Sequence, residues 1–226
     1  MLEASQIIEL LRAAYGPLPR RERRAPLDEL VLGVLSQNTS DVNSERAFNR
    51  LKASFPDWRS VAQASVAKIE KAIRPGGLAP TKAVRIKALL DEVRRREGPL
   101  ELRTPASLPL DEAKAWLESL PGVGPKTAAV VLLFSFDRPA MPVDTHVHRV
   151  ARRLGLIAQK ASTRQAQETL EAMASPEQMY DFHVYLIAHG RRVCVARRPR
   201  CPECALRRGC PSVALYYPSP TAGAPA

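Results

Sequence analysis

The four cysteines of the chain all lie between Cys194 and Cys210, as Cys194, Cys201, Cys204 and Cys210 spaced Cys-x6-Cys-x2-Cys-x5-Cys. Thiols gathered in one short segment of an intracellular protein point to a metal centre rather than to disulfides. Zinc is typically gripped by two close-spaced pairs, and only Cys201 and Cys204 are close here. A cubane iron–sulfur cluster accepts uneven spacing, because each cysteine binds its own iron. Spacing alone favours a cluster and leaves zinc as the alternative.

A second group able to do chemistry is Leu120-Pro121-Gly122-Val123-Gly124-Pro125-Lys126. Two glycines flanking a small apolar residue, between two helical stretches, permit a tight hairpin with positive φ angles. Amides of Gly122, Val123 and Gly124 beside a helix start would offer donors to a DNA phosphate, without reading sequence. The bland alternative is a simple corner between two helices. Lys126 follows in the first helical turn, where the helix dipole disfavours a further positive charge. A neutral amine there could attack a sugar carbon and form a Schiff base, though a phosphate-binding lysine fits the position equally. Pro139 to His146 reads Pro-Ala-Met-Pro-Val-Asp-Thr-His and sets Asp144 at a helix cap. Beside a neutral lysine, that carboxylate could stabilise positive charge developing on a deoxyribose.

These groups need a scaffold, and the pattern supplies helices. Apolar residues recur at helical spacing in Ile7–Tyr15, Leu27–Leu35, Ala83–Val93 and the stretch after Lys126. Caps are expected at Asp41, Asp57, Thr81, Asp111, Asp144 and Ser162. Stops are expected at Gly16-Pro17, Pro75-Gly76-Gly77 and Gly190, the last ending a helix opened by Ser175-Pro176. No convincing strand alternation occurs. The fold class is all-α, with about ten short helices in two lobes.

The 226 residues include 45% hydrophobic and 25% charged residues, enough for a core without disulfide staples. No apolar run is long enough to span a membrane, and the acidic N-terminus lacks a signal-peptide pattern, so a cytoplasmic location and no membrane partner are expected. The net charge is +11 and the pI about 10.0. Such a balance suits a polyanion, since each neutralised phosphate releases counterions. Arginines cluster at Arg20, Arg21, Arg23 and Arg24, and again from Arg191 to Arg208. Arg197, Arg198 and Arg200 would be held against a DNA phosphate by the cysteine loop.

Leu120 to Ala128, followed by Val143-Asp144-Thr145-His146 and the cysteine spacing, resembles the helix-hairpin-helix, Gly/Pro-Asp endonuclease III family of DNA glycosylases. The resemblance runs from about residue 27 through Cys210. It implies a helical-barrel domain at 27–137, a cluster domain at 1–26 plus 138–213, and a disordered tail at 214–226. Lys126 would be the nucleophile and Asp144 its partner across a cleft, while His146 supports the site. The cysteines would hold a 4Fe-4S cluster. Asn38 aligns with the family's gap-filling residue, Gln37 lies one place earlier, and Leu78 matches its base wedge. Pro125 stands where the family often has a basic residue.

The implied protein is a monomer acting on duplex DNA with damaged bases or abasic sites. It would remove oxidised pyrimidines through a lysine Schiff base and β-elimination, beside the nucleoid if bacterial. Alternatives are a mismatch glycosylase, mainly an abasic-site lyase, or a non-catalytic helix-hairpin-helix DNA binder. The lack of a nudix-like extension argues against an adenine glycosylase.

Overall fold

The helical periodicity read from the sequence is realised as thirteen α-helices, with no strand, among residues 2–217, which the computed structural model describes. Helix α1 (Ala4–Tyr15) belongs to a unit made of the segments up to Arg21 and from Pro139 onward; Glu22–Arg138 forms the other unit. Residues 22–26, expected with the first segment, instead join the central unit. There Arg23 Nε donates to the Ser135 carbonyl at 2.7 Å and Arg24 forms two 2.9 Å bonds to the Glu45 carboxylate.

The central unit contains α2 (Pro26–Leu35), α3 (Asp41–Ser54), α4 (Trp58–Gln63), α5 (Val66–Ile73), α6 (Ala79–Glu97), α7 (Thr104–Ser107), α8 (Leu110–Glu118) and α9 (Pro125–Ser135). Its core is built from Leu30, Leu35, Leu51, Ile69, Ile73, Ile86 and Leu89, all without solvent exposure. Helix α9 is apolar on almost every side and therefore runs inside the unit, against α2. The contact is close because position 33 is glycine: a Cβ there would lie 2.6 Å from Thr127 Cγ2. That approach fixes the helix on which Lys126 sits.

The terminal unit packs α1 against α12 (Met179–Arg192), with α10 (Thr145–Leu154), α11 (Thr163–Met173) and α13 (Val213–Tyr216). Several expected boundaries shift for local reasons. Ser40, not Asp41, caps α3, its hydroxyl accepting from the Asn43 amide. The segment after Asp57 divides in two because Ser65 caps a new helix. Helix α6 starts at Ala79 rather than at a Thr81 cap, since Pro80 presets the first turn. Gly190 does not stop α12 but lies inside it. A Cβ there would come within 3.0 Å of His146 Cβ and 3.2 Å of Val150 Cγ2, so the glycine admits α10. The tail expected to lack order from 214 onward begins in α13, where the Arg153 guanidinium stacks 4.5 Å over the Tyr216 ring. Positions 218–226 lie outside the described residues.

Candidate active site and metal centre

Of the two glycines in the turn between α8 and α9, only Gly122 takes a positive φ; Gly124 is extended at φ −110°. Gly122 is exposed at φ +78°, Leu120 and Val123 are buried, and the Val123 amide closes on the Leu120 carbonyl at 3.1 Å. Pro125 occupies the first turn of α9 and no side chain caps that helix end, which leaves its amides to an anion. Lys126 follows, half-buried, with no hydrogen bond or ion pair to any described residue.

The candidate gap-filling residues behave differently from one another. The Gln37 amide is committed: its Nε2 donates to the Gly122 carbonyl at 2.9 Å, and its Oε1 accepts from Arg85 Nη1 at 2.8 Å. Gln37 thus braces the hairpin. Asn38 is exposed, at φ +53°. Leu78 is 56% exposed at φ +51°. Both therefore stand at protruding turns in the left-handed conformation that non-glycine residues seldom adopt. Sequence reasoning missed the group beneath them: Lys82 is 1% exposed, and its Nζ donates to the carbonyls of Leu35 at 2.7 Å and Gly76 at 2.8 Å. Burial pushes this ammonium below the usual lysine range. The available signal was a lysine four residues before Ile86, on the apolar face of α6.

Asp144 caps α10 as expected. Its Oδ1 accepts from the His146 amide at 2.9 Å and the Val147 amide at 2.7 Å, leaving Oδ2 available. His146 Nδ1 lies 3.1 Å from Arg149 Nη2. Lys126 belongs to the central unit and Asp144 to the terminal one.

Farther along α10, Arg149 and Arg153 organise the cysteine loop. Arg149 Nε donates to the Cys194 carbonyl at 2.9 Å, and Arg153 reaches Val195 O at 2.7 Å, Ala196 O at 2.9 Å and Cys194 Sγ at 3.4 Å. Cys194, Cys201, Cys204 and Cys210 line one enclosed, largely apolar cavity with Val150 and Leu154. His189, 1% exposed, lies against it, its Nε2 3.5 Å from Cys204 Sγ and its Nδ1 2.7 Å from the Tyr15 hydroxyl. Burial pushes the His189 imidazole down to about 4 and the Cys204 thiol up to about 11.

One feature tests what this cavity fits. The guanidinium of Arg153 is 7% exposed and bonded to carbonyls, a hydroxyl and sulfur, with no carboxylate. A net anionic cluster with four thiolates would balance that buried charge. The donors present fit an iron–sulfur cluster.

The model of the HhH-GPD superfamily of base excision DNA repair proteins matches residues 31–176. The chain belongs to that superfamily. Within it the chain falls in the endonuclease III family: endonuclease III of Thermotoga maritima is 36% identical over 208 residues, covering 90% of this chain and 92% of that one. A relative from Arabidopsis thaliana, named only provisionally as a DNA glycosylase, is 41% identical over 174 residues. The match covers 77% of this chain and only 59% of the plant protein. A solved endonuclease III trapped as a covalent intermediate with DNA superposes with a TM-score of 0.79 at 29% identity, covering 93% of this chain and 97% of that one.

For a member of the endonuclease III family, the two arginine clusters prove unequal. In the first, Arg23 and Arg24 are spent on the contacts above, and Arg20 stacks 4.8 Å over the Tyr180 ring. In the second, Arg192 stacks 5.0 Å over the Tyr15 ring, whereas Arg197, Arg198 and Arg200 are all exposed, with Arg200 3.9 Å from Glu203. The missed organisers of the loop, Arg149 and Arg153, are spaced i, i+4 after Asp144. No helix of the described chain is long and apolar enough to cross a membrane.

Proposed function

We propose that this endonuclease III family member is a bifunctional DNA glycosylase and abasic-site lyase that removes oxidised pyrimidines from duplex DNA. The observation that carries the reading is Lys126: an unpartnered amine at the first turn of the hairpin helix, beside open backbone donors. In the proposed reaction the hairpin amides of Gly122 and Gly124 hold a phosphate while the damaged nucleotide leaves the stack; the Val123 amide, expected to join them, is taken by the Leu120 carbonyl. Asn38 and Leu78 occupy the space it vacates, and Gln37 steadies the hairpin. Lys126 Nζ gives its lone pair to C1′, the N-glycosidic bond breaks toward the base, and the base takes a proton. Ring opening leaves a Schiff base between Nζ and C1′. Loss of a C2′ proton then expels the 3′ phosphate and nicks the strand. Asp144, through Oδ2, stabilises the positive charge that develops on the sugar.

Cys194, Cys201, Cys204 and Cys210 would hold a 4Fe-4S cluster, which when bound would supply a rigid anionic node for the loop and no step of base release or strand cleavage. Arg197, Arg198 and Arg200, presented by that loop, add phosphate contacts. With this reading go a monomeric state, a cytoplasmic location beside the nucleoid if bacterial, and association that weakens steeply with salt. The test is a panel of duplexes, each with one defined lesion, assayed for base release and strand nicking, with borohydride reduction to trap the Schiff base. Release of an oxidised pyrimidine with nicking and trapping is the expected result. Release without nicking would replace the bifunctional reading, and nicking only at preformed abasic sites would reduce the protein to a lyase.

A further inference from the structure

We propose that Lys82 is a positioning residue: its ammonium clamps the Asn38 loop and the Leu78 turn into one rigid unit that governs how the protein opens paired DNA. The inference rests on the reading above, in which both turns enter the duplex. A buried ammonium without a carboxylate is costly, and methionine would fill a similar space without that charge. What the charge does here is satisfy two carbonyls at chain ends that packing alone leaves open. Leu35 is the last residue of α2, and Gly76 ends the 3-10 turn Arg74–Gly76. Both carbonyls lie at the negative end of a helical segment, where a cation is favoured.

Each anchored carbonyl stands just ahead of a protruding residue. The chain runs from Leu35 to Asn38 and from Gly76 to Leu78, and both protruding residues are exposed with positive φ. Left-handed backbone at non-glycine positions persists only where the surroundings hold it in place. Lys82 does so twice at the second turn, because its own amide also bonds the Leu78 carbonyl at 3.0 Å. The Gln37 bonds to Gly122 and Arg85 extend the same frame to the hairpin. A rigid pair of wedges enters DNA without losing conformational freedom on binding, whereas two independent loops would each lose some.

The test compares Lys82→Met with the wild-type chain on two DNAs carrying the same oxidised pyrimidine, one fully paired and one with the lesion inside an unpaired bubble. A clamp acting through the wedges predicts roughly ten- to hundredfold slower excision from paired DNA and unchanged excision from the bubble, where no opening is required. Equal loss on both DNAs, or no loss on either, overturns the proposal. If Lys82→Met does not fold, hydrogen exchange in the wild-type chain decides. The Gln37 and Gly77 amides, bonded to Val34 O and Arg74 O, should open with one shared free energy. Separate openings overturn the clamp. Wild-type protein inactive on both DNAs would defeat the enzyme reading, while the exchange result would still decide the clamp.

Discussion

The hairpin of the central unit and the cysteine loop of the terminal unit are both short irregular segments, yet they are held by opposite means. The hairpin is flanked by buried Leu120 and Val123 and followed by an apolar helix locked against α2 through Gly33, so hydrophobic packing shapes it in advance. The cysteine loop buries little besides Pro199 and Leu206. It hangs instead on hydrogen bonds from Arg149 and Arg153 to its carbonyls. Burial pushes the Cys204 and Cys210 thiols above the usual cysteine range. A segment ordered by packing takes its shape without a ligand, whereas one held by polar contacts around half-buried thiols would gain most from a bound metal.

The sharpest break in this comparison comes from Lys126→Ala. It should abolish borohydride trapping and slow strand nicking on the order of a thousandfold or more, with an unchanged melting temperature. A large melting shift would mean that the hairpin is not independent of its lysine. Next, Cys204→Ala, or removal of iron, should eliminate the visible absorption of a cluster and destabilise the terminal unit by about 3 kcal/mol or more. Equal stability with and without iron, by calorimetry, would put the two segments on the same footing. Arg153→Met should cost about 2–3 kcal/mol in a denaturant titration, because the Val195 and Ala196 carbonyls lose their donor.

On the hairpin side, Gly122→Ala forces a side chain into φ +78° and should cost about 1 kcal/mol, with weaker binding to undamaged DNA. The smallest effect lies on the surface of α6. Hydrogen bonds from Arg95, then Arg96, hold the Glu92 carboxyl down to about 2, against an ordinary 4.5. Its contribution is therefore complete above pH 4.5 and disappears as pH falls toward 2. Glu92→Gln should flatten the melting temperature between pH 5 and 3, and added salt should shrink the difference.

Much of the architecture could be read before folding. Gly16, Asp57, Asp144 and Ser162 mark helix ends where their side chains or glycine backbone predict them, because capping is local chemistry. Gly190 misled because a glycine that ends a helix and one that admits a neighbouring helix are the same letter; only the 3.0 Å approach to His146 Cβ distinguishes them. Thr81 misled because the first turn was set by Pro80. Lys82 escaped notice because a lysine on an apolar stripe is ordinarily read as a solvated interruption, and its two carbonyl acceptors come from turns remote in sequence or shaped by other residues.

The order of residues by itself determined the helical class, the family, the tight glycine turn ahead of Lys126 and the grouping of four thiols. Each of these depends on spacing within a few residues or on residue types that no neighbour can alter. Only the tertiary structure decided that Gln37 braces while Asn38 protrudes, that Arg23 and Arg24 are spent internally, and that Arg153 lies buried among sulfur and carbonyls. A polar side chain's role is set by which partners remain unsatisfied within its reach, and those partners come from segments that only folding brings together.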